Sequence, residues 1–401
     1  MYNIKSKAFT LNDVLFILSI LIFNAVYTFF AAVKYSSGED YYFYYLYSMF
    51  FLILVQIVIF FSQGHTFYEI AEAMLIFSLF SIGTFSYRDI TPLFGVLTLL
   101  SARLVKISLK KVITIDFIFR LILLVLVVVL WSSGYLLDSQ FTRNVSDGII
   151  LRHTYGFANP NTFGLFMVAI LGEGIYLFWN RGRLSVHVLF SIVILYGINK
   201  VTDSRSALII GFLLISLLLL HRILLKINLT FLSWIPIITF SISAFFANFV
   251  NKNSLLWIKL DDVLSNRLLF NSFFWETTPK SLFGHRIVQV TNEQALNSYG
   301  LLTGKILTNF YLTIFLGFGF VGIIIVLYLF TYTIRTLLKN GLHLEVIIFS
   351  LYLVLGLIEN SVLNIFINWS LLLIINEKRC EHNTINTHQF DFKNISIKKG
   401  E

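Results

Sequence analysis

Predominantly apolar runs of about 20 residues, the length an α-helix needs to cross a bilayer, recur along this chain. Val14–Val33, Tyr41–Phe61 and Ile113–Leu137 are three of them. Such runs admit few folds, because backbone N–H and C=O groups in hydrocarbon must be paired within a helix or around a closed barrel. Barrel strands are short and alternate apolar with polar residues, and these runs do neither. Charged residues make up 13% of the 401, against roughly a quarter in a soluble domain. The expected class is therefore an all-α, polytopic integral membrane protein. The first run has no small-residue cleavage site and reads as a retained helix, not a signal peptide. The single cysteine, Cys380, leaves no intrachain disulfide and no cysteine-based metal cluster.

Further spans are expected at Phe67–Phe85, Ile90–Val105, Thr162–Phe178, Ser185–Ile198, Ala207–Leu225, Phe231–Val250, Phe310–Ile334, Leu344–Ile358 and Val362–Ile375. That makes about 12 transmembrane helices, which the distribution of basic residues can check. With Lys5 and Lys7 inside, the other inner loops carry Arg103, Lys106, Lys110 and Lys111, then Arg181 and Arg183, then Arg222 and Lys226, then Arg335 and Lys339. The short basic loops all fall on one side, as the positive-inside rule requires. Both termini are expected to be cytoplasmic, in the plasma or inner membrane. The net charge of +9 is then a property of cytoplasmic loops, not a sign of nucleic-acid binding.

This topology makes residues 1–376 one membrane domain and 377–401 a disordered cytoplasmic tail. It leaves Asp138–Asn161, Lys200–Ser206 and Asn251–Asn309 outside. The large extracytoplasmic loop, 251–309, interleaves Trp257, Phe270, Phe273, Phe274 and Trp275 with polar residues. That pattern suggests short amphipathic helices on the membrane or capping the bundle.

Arginines outside run against the same rule, which marks Arg143, Arg152, Arg205, Arg267 and Arg286. A guanidinium clamps phosphate oxygens through paired, charge-assisted hydrogen bonds, so arginines converging from distant segments would form a pyrophosphate site. The competing reading is ordinary surface charge, which translocated loops tolerate. Arg152 opens a loop whose Asn161 is placed to cap the sixth span. Arg205 lies where Ser204 or Ser206 would cap the eighth span, and a helix N-terminus there favours an anion. A salt bridge from Arg205 to Asp203 is the alternative.

No nucleotide-binding loop is present. Asp138, Asp147, His153, Asp261, Asp262, Glu276, His285 and Glu293 are too scattered to suggest a metal site, and no cofactor is expected. Sugar transfer from a lipid-pyrophosphate donor needs cations for the leaving diphosphate and a base for the acceptor hydroxyl. The arginines supply the first. For the base His285 is attractive, since histidine titrates near neutral pH, with Glu276 and Glu293 as competitors. Glu359 is an intramembrane carboxylate, paired or functional by expectation, and an anchor for an arginine is one such role.

The chain resembles the Wzy-type polysaccharide polymerases of the O-antigen polymerase and ligase superfamily. The resemblance rests on Arg152…Gly156-Phe157-Ala158-Asn159-Pro160-Asn161…Gly164 and Ser204-Arg205-Ser206-Ala207. It continues through Leu264-Ser265-Asn266-Arg267…Trp275…Pro279…Leu282-Phe283-Gly284-His285 and Asn309-Phe310-Tyr311-Leu312…Gly317…Gly319…Gly322. It covers mainly residues 140–335. It implies a GT-C-like membrane glycosyltransferase, metal-independent, that joins undecaprenyl-pyrophosphate-linked oligosaccharides into capsular polysaccharide, exopolysaccharide or O-antigen. Arg152, Arg205, Arg267 and Arg286 would then hold the donor pyrophosphate, while Asn159, Asn161, Asn309 and Tyr311 shape the acceptor side. A flippase and a chain-length regulator would be pathway partners. Thr308 stands where many relatives carry an acid or histidine, and His285 where they often carry a second glycine, so the base stays open. A ligase of the same superfamily and a lipid-linked-oligosaccharide flippase are the alternatives. A transporter should show pseudo-symmetric halves, which the placement of the large loop disfavours.

Overall fold

The computed structural model describes residues 10–38, 41–62, 65–87, 89–145, 148–178, 184–224, 227–249, 254–264, 267–290 and 306–375. The chain runs through α1 (Leu11–Tyr27, prolonged by a π-helical turn to Ala32), α2 (Tyr42–Phe61), α3 (Phe67–Tyr87), α4 (Thr91–Ala102) and α5 (Leu109–Ser132). A hairpin of β1 (Phe141–Val145) and β2 (Gly148–Arg152) follows, then α6 (Pro160–Phe178), α7 (Leu184–Thr202), α8 (Arg205–Leu224) and α9 (Ile235–Asn248). The short α10 (Leu255–Val263) and α11 (Arg267–Thr277) precede α12 (Phe310–Gly317), α13 (Gly319–Lys339) and α14 (His343–Leu355).

Among the described residues seven helical stretches are long and apolar enough to cross a membrane: α1, α2, α3, α5, α6, α13, and α9 with the 3-10 turn leading into it. Shorter apolar helices lie within α4, α7, α8 and α14. The face that α2 turns outward is apolar, with Tyr47, Phe51 and Leu54 exposed while Met49, Leu52 and Ile59 are buried. Burial of one apolar face and exposure of another is what lipid surroundings permit and water penalises.

Three expectations need correction. Val362–Ile375 is not a transmembrane helix. After α14 the chain passes through turns to a 3-10 segment, Trp369–Ile374, buried inside the bundle. Phe310–Ile334 is interrupted, because Gly319 takes φ +77° and divides α12 from α13. The 138–161 segment is not wholly loop, since it holds the antiparallel hairpin, with Phe141 opposite Arg152. Two short helices, α10 and α11, do lie in the 251–309 segment.

Hydrogen bonds define the two ends of the bundle. At one end, Asp13 completes a capping box with Thr10 and accepts from the Lys106 N–H at 2.8 Å. This joins the start of α1 to the basic α4–α5 loop. At the other, Lys34 N–H donates to Gly156 O and Leu137 N–H to Lys34 O. The exits of α1 and α5 and the start of α6 therefore share the end that carries the hairpin. The two-residue link from α7 to α8 makes those helices antiparallel neighbours.

A charged cluster in the bundle interior explains how the irregular 356–369 backbone survives there. Arg120 of α5 donates from Nε to Asp116 at 2.9 Å, from Nη1 to Phe366 O at 2.6 Å and from Nη2 to Ile365 O at 2.9 Å. Glu173 of α6 stands 3.0 Å from Arg120 Nε, and Asn24 of α1 donates to Asp116 at 2.7 Å. Non-helical backbone at membrane depth needs such partners.

Candidate functional site

The α7–α8 turn at the hairpin end gathers the outlying arginines. Asp203 takes φ +44°, which reverses the chain in two residues. Ser204 then caps α8, its Oγ accepting from the Ala207 N–H at 3.3 Å. Capping by Ser204 leaves Ser206 available for other partners, and Arg205 becomes the first residue of α8. Gly164 of α6 lets this turn approach, since a Cβ there would lie 2.8 Å from that of Ser204.

Arg152, the last residue of β2, reaches into the turn. Its Nε donates to Thr202 O at 3.1 Å and lies 3.9 Å from the Asp203 carboxylate. Its Nη2 donates to Asn161 Oδ1 at 2.8 Å. The expected cap on α6 is corrected here: Asn159, not Asn161, accepts the first-turn N–H, at 2.8 Å from Asn161 N. Asn161 is left to orient Arg152. Asp203 faces Arg152.

Arg267 opens α11 and meets the first turn of α8 at Ser206. Its Nη2 donates to Glu359 Oε1 at 2.8 Å and contacts Ser206 Oγ at 3.1 Å. The Ser206 hydroxyl donates to the same carboxylate oxygen. Among the described residues Arg267 Nη1 has no hydrogen-bond partner, although it is buried. An unsatisfied buried guanidinium N–H is costly, and an anion would relieve it. Arg152 from β2 and Arg267 from α11 thus meet at one turn, where Arg205 opens α8 and the helix N-terminus adds its partial positive charge.

The other expected residues lie elsewhere. His285 and Arg286 are exposed, and neither side chain forms a hydrogen bond or ion pair among the described residues. They follow Gly284, whose φ of +77° and close approach to Gly317 O exclude a side chain. Glu276 is exposed on α11 and accepts from Ser272 Oγ at 3.2 Å. Asn309 and Tyr311 are buried and hold the fold together. Asn309 caps α12 and donates to Ser243 Oγ and Leu357 O, while the Tyr311 hydroxyl donates to Leu353 O. Asp147, Glu293 and the 377–401 tail lie outside the described residues, as do the side chains of Arg143 and Asp262.

Two groups escaped the sequence reading. Beside Arg152, His153 Nδ1 pairs with Asp138 Oδ2 at 2.7 Å, and the other Asp138 oxygen accepts from the Thr154 and Tyr155 N–H groups. Burial alone would raise the Asp138 pKa, but the hydrogen bonds from His153, Thr154 and Tyr155 together bring it below the usual aspartate value. Both residues stood in the sequence as scattered polar groups, and nothing in their 15-residue separation announced a pair. The Arg120–Asp116–Glu173 cluster had a usable signal, because ionisable residues within apolar spans are expensive and seldom idle.

Among the described residues no three His, Cys, Asp or Glu side chains gather as a metal site would need. Comparison with known proteins returns no matching family model, no matching curated protein and no matching solved structure.

Proposed function

We propose that this chain is a membrane glycosyltransferase that polymerises undecaprenyl-pyrophosphate-linked oligosaccharide repeats into a surface polysaccharide. The observation that carries the reading is the meeting of Arg152 and Arg267 at the turn from which Arg205 opens α8, with Arg267 Nη1 buried and unpartnered among the described residues. The hairpin end, opposite the basic α4–α5 loop, is then the outer face.

In this reading the guanidinium groups hold the diphosphate of the growing chain. The acceptor hydroxyl attacks the anomeric carbon, the carbon–oxygen bond to the diphosphate breaks, and the charge released there is met by arginines already in place. The base accepts the hydroxyl proton. His153 suits that role better than the exposed His285 or Glu276. Asp138 at its Nδ1 fixes the ring and leaves Nε2 to act as acceptor.

Deleting the gene and analysing the glycan tests the reading. Surface glycan reduced to single repeats, with lipid-linked single repeats accumulating, is expected. Polymer of normal length in the deletion strain would overturn it.

A further inference from the structure

A polar cavity of ≈ 160 Å³ opens at the hairpin end, between α1, α4, α12 and the irregular segment after α14. Tyr27, Asp89, Thr91, Thr313, Ser361 and Asn364 supply its polar lining, and exposed Asn360 stands at its mouth. Among the described residues no Lys, Arg or His lines it, so the chemistry of this lining differs from that of the arginine cluster. We propose that this cavity is the subsite for a neutral sugar ring of the acceptor glycan, with Asp89, Ser361 and Asn364 binding its hydroxyls. The proposal rests on the glycan-polymerising reading above and gives the non-ionic part of that substrate a place.

Three features support the assignment. The first is the donor and acceptor set. A sugar ring offers several hydroxyls, each both donor and acceptor, and a carboxylate, an amide and hydroxyls can satisfy them together. Asp89 accepts from the Thr91 N–H at 2.9 Å, and among the described residues it has no cationic partner. Its burial raises the carboxyl pKa, the direction that loss of solvent gives a carboxylate. A hydroxyl donor arriving in the cavity would relieve that cost.

The second feature is continuity with the arginines. Glu359, which holds Arg267, is followed directly by Asn360 and Ser361 of the cavity. Consecutive Cα atoms are about 3.8 Å apart, so the cavity mouth adjoins the cation cluster. An anionic leaving group and a neutral acceptor ring need that adjacency. The third is rigidity. Arg120 fixes the carbonyls of Ile365 and Phe366, and Asn364 Oδ1 accepts from the Phe366 N–H at 3.1 Å. The wall carrying Asn364 is therefore held before any ligand arrives.

The test uses the full chain in lipid nanodiscs and the lipid-linked oligosaccharide extracted from the deletion strain. Asp89→Leu removes the carboxylate, and Ser361→Trp fills the mouth. With melting temperatures unchanged, each variant should raise the KM for the lipid-linked repeat at least tenfold. In a second arm, the oligosaccharide freed from its lipid diphosphate is followed by saturation-transfer NMR. Wild type should give a signal that Ser361→Trp loses. Wild-type KM in both variants, an equal signal in Ser361→Trp, or no wild-type signal would overturn the subsite. A wild-type chain that binds the free oligosaccharide but elongates nothing would overturn the polymerase reading and leave the subsite standing.

Discussion

Glu359 accepts a hydrogen bond from Arg267 Nη2 at 2.8 Å across 92 residues of sequence, joining the irregular segment after α14 to the first residue of α11. Their side chains are 10% and 13% exposed, so removing one partner leaves a largely buried charge uncompensated. Glu359→Ala should therefore cost about 3 kcal/mol of stability. Thermal unfolding of Glu359→Ala, Arg267→Ala and the double variant checks it. The double variant should lose clearly less than the sum of the singles, whereas strict additivity would mean that the pair is not coupled.

Arg152→Ala and Arg205→Ala should each abolish polymer while the protein still inserts and accumulates normally. Loss of one preorganised charge-stabilising donor lowers turnover by about 10²- to 10³-fold, enough to erase a visible polymer ladder. Glycan gels beside membrane immunoblots provide the measurement. Full-length polymer in either strain would remove that arginine from the diphosphate site.

Arg120 is predicted to be a structural requirement. Arg120→Ala strands two carboxylates in the interior and frees the carbonyls of Ile365 and Phe366, a loss of about 3–5 kcal/mol. Arg120→Lys should fail to restore it, because a single ammonium cannot reproduce the guanidinium fork. Melting temperature and monodispersity in detergent report the result, and a native-like Arg120→Lys protein would contradict it.

The turn after β2 should loosen in acid. The Asp138 pKa is lowered in the folded chain, so its contribution is complete above the unfolded value of about 3.9 and is lost as pH falls through the folded value. Protection of the Thr154 and Tyr155 amides, both donors to Asp138, should fall at low pH in wild type. In Asp138→Asn it should be weaker throughout and flat over the same range. Hydrogen-exchange protection factors follow it, and identical profiles for the two proteins would refute it.

Legibility from sequence depended on the range of the interaction. The membrane class, most helices and the position of Arg152, Arg205 and Arg267 beside the ends of helices all follow from local hydropathy and the ordering of charges. The non-helical course of Val362–Ile375 did not, because its apolar residues satisfy a span criterion equally well. Arg120, some 245 residues away in sequence, joins the local Asn364 and Asn368 in supplying the partners that let that backbone leave the helix.

By itself, then, the sequence determined the solvent of this protein and which ends of its spans carry charge, since hydrocarbon leaves a 20-residue apolar run almost no alternative to helix. Tertiary structure decided which charges meet. It paired Asp203 with Arg152, gave Ser206 and Glu359 to Arg267, turned Asn161 from a cap into a rest for Arg152, and joined Asp138 to His153. Each of those choices depends on side-chain distances between segments remote in the chain, and apolar periodicity carries no information about them.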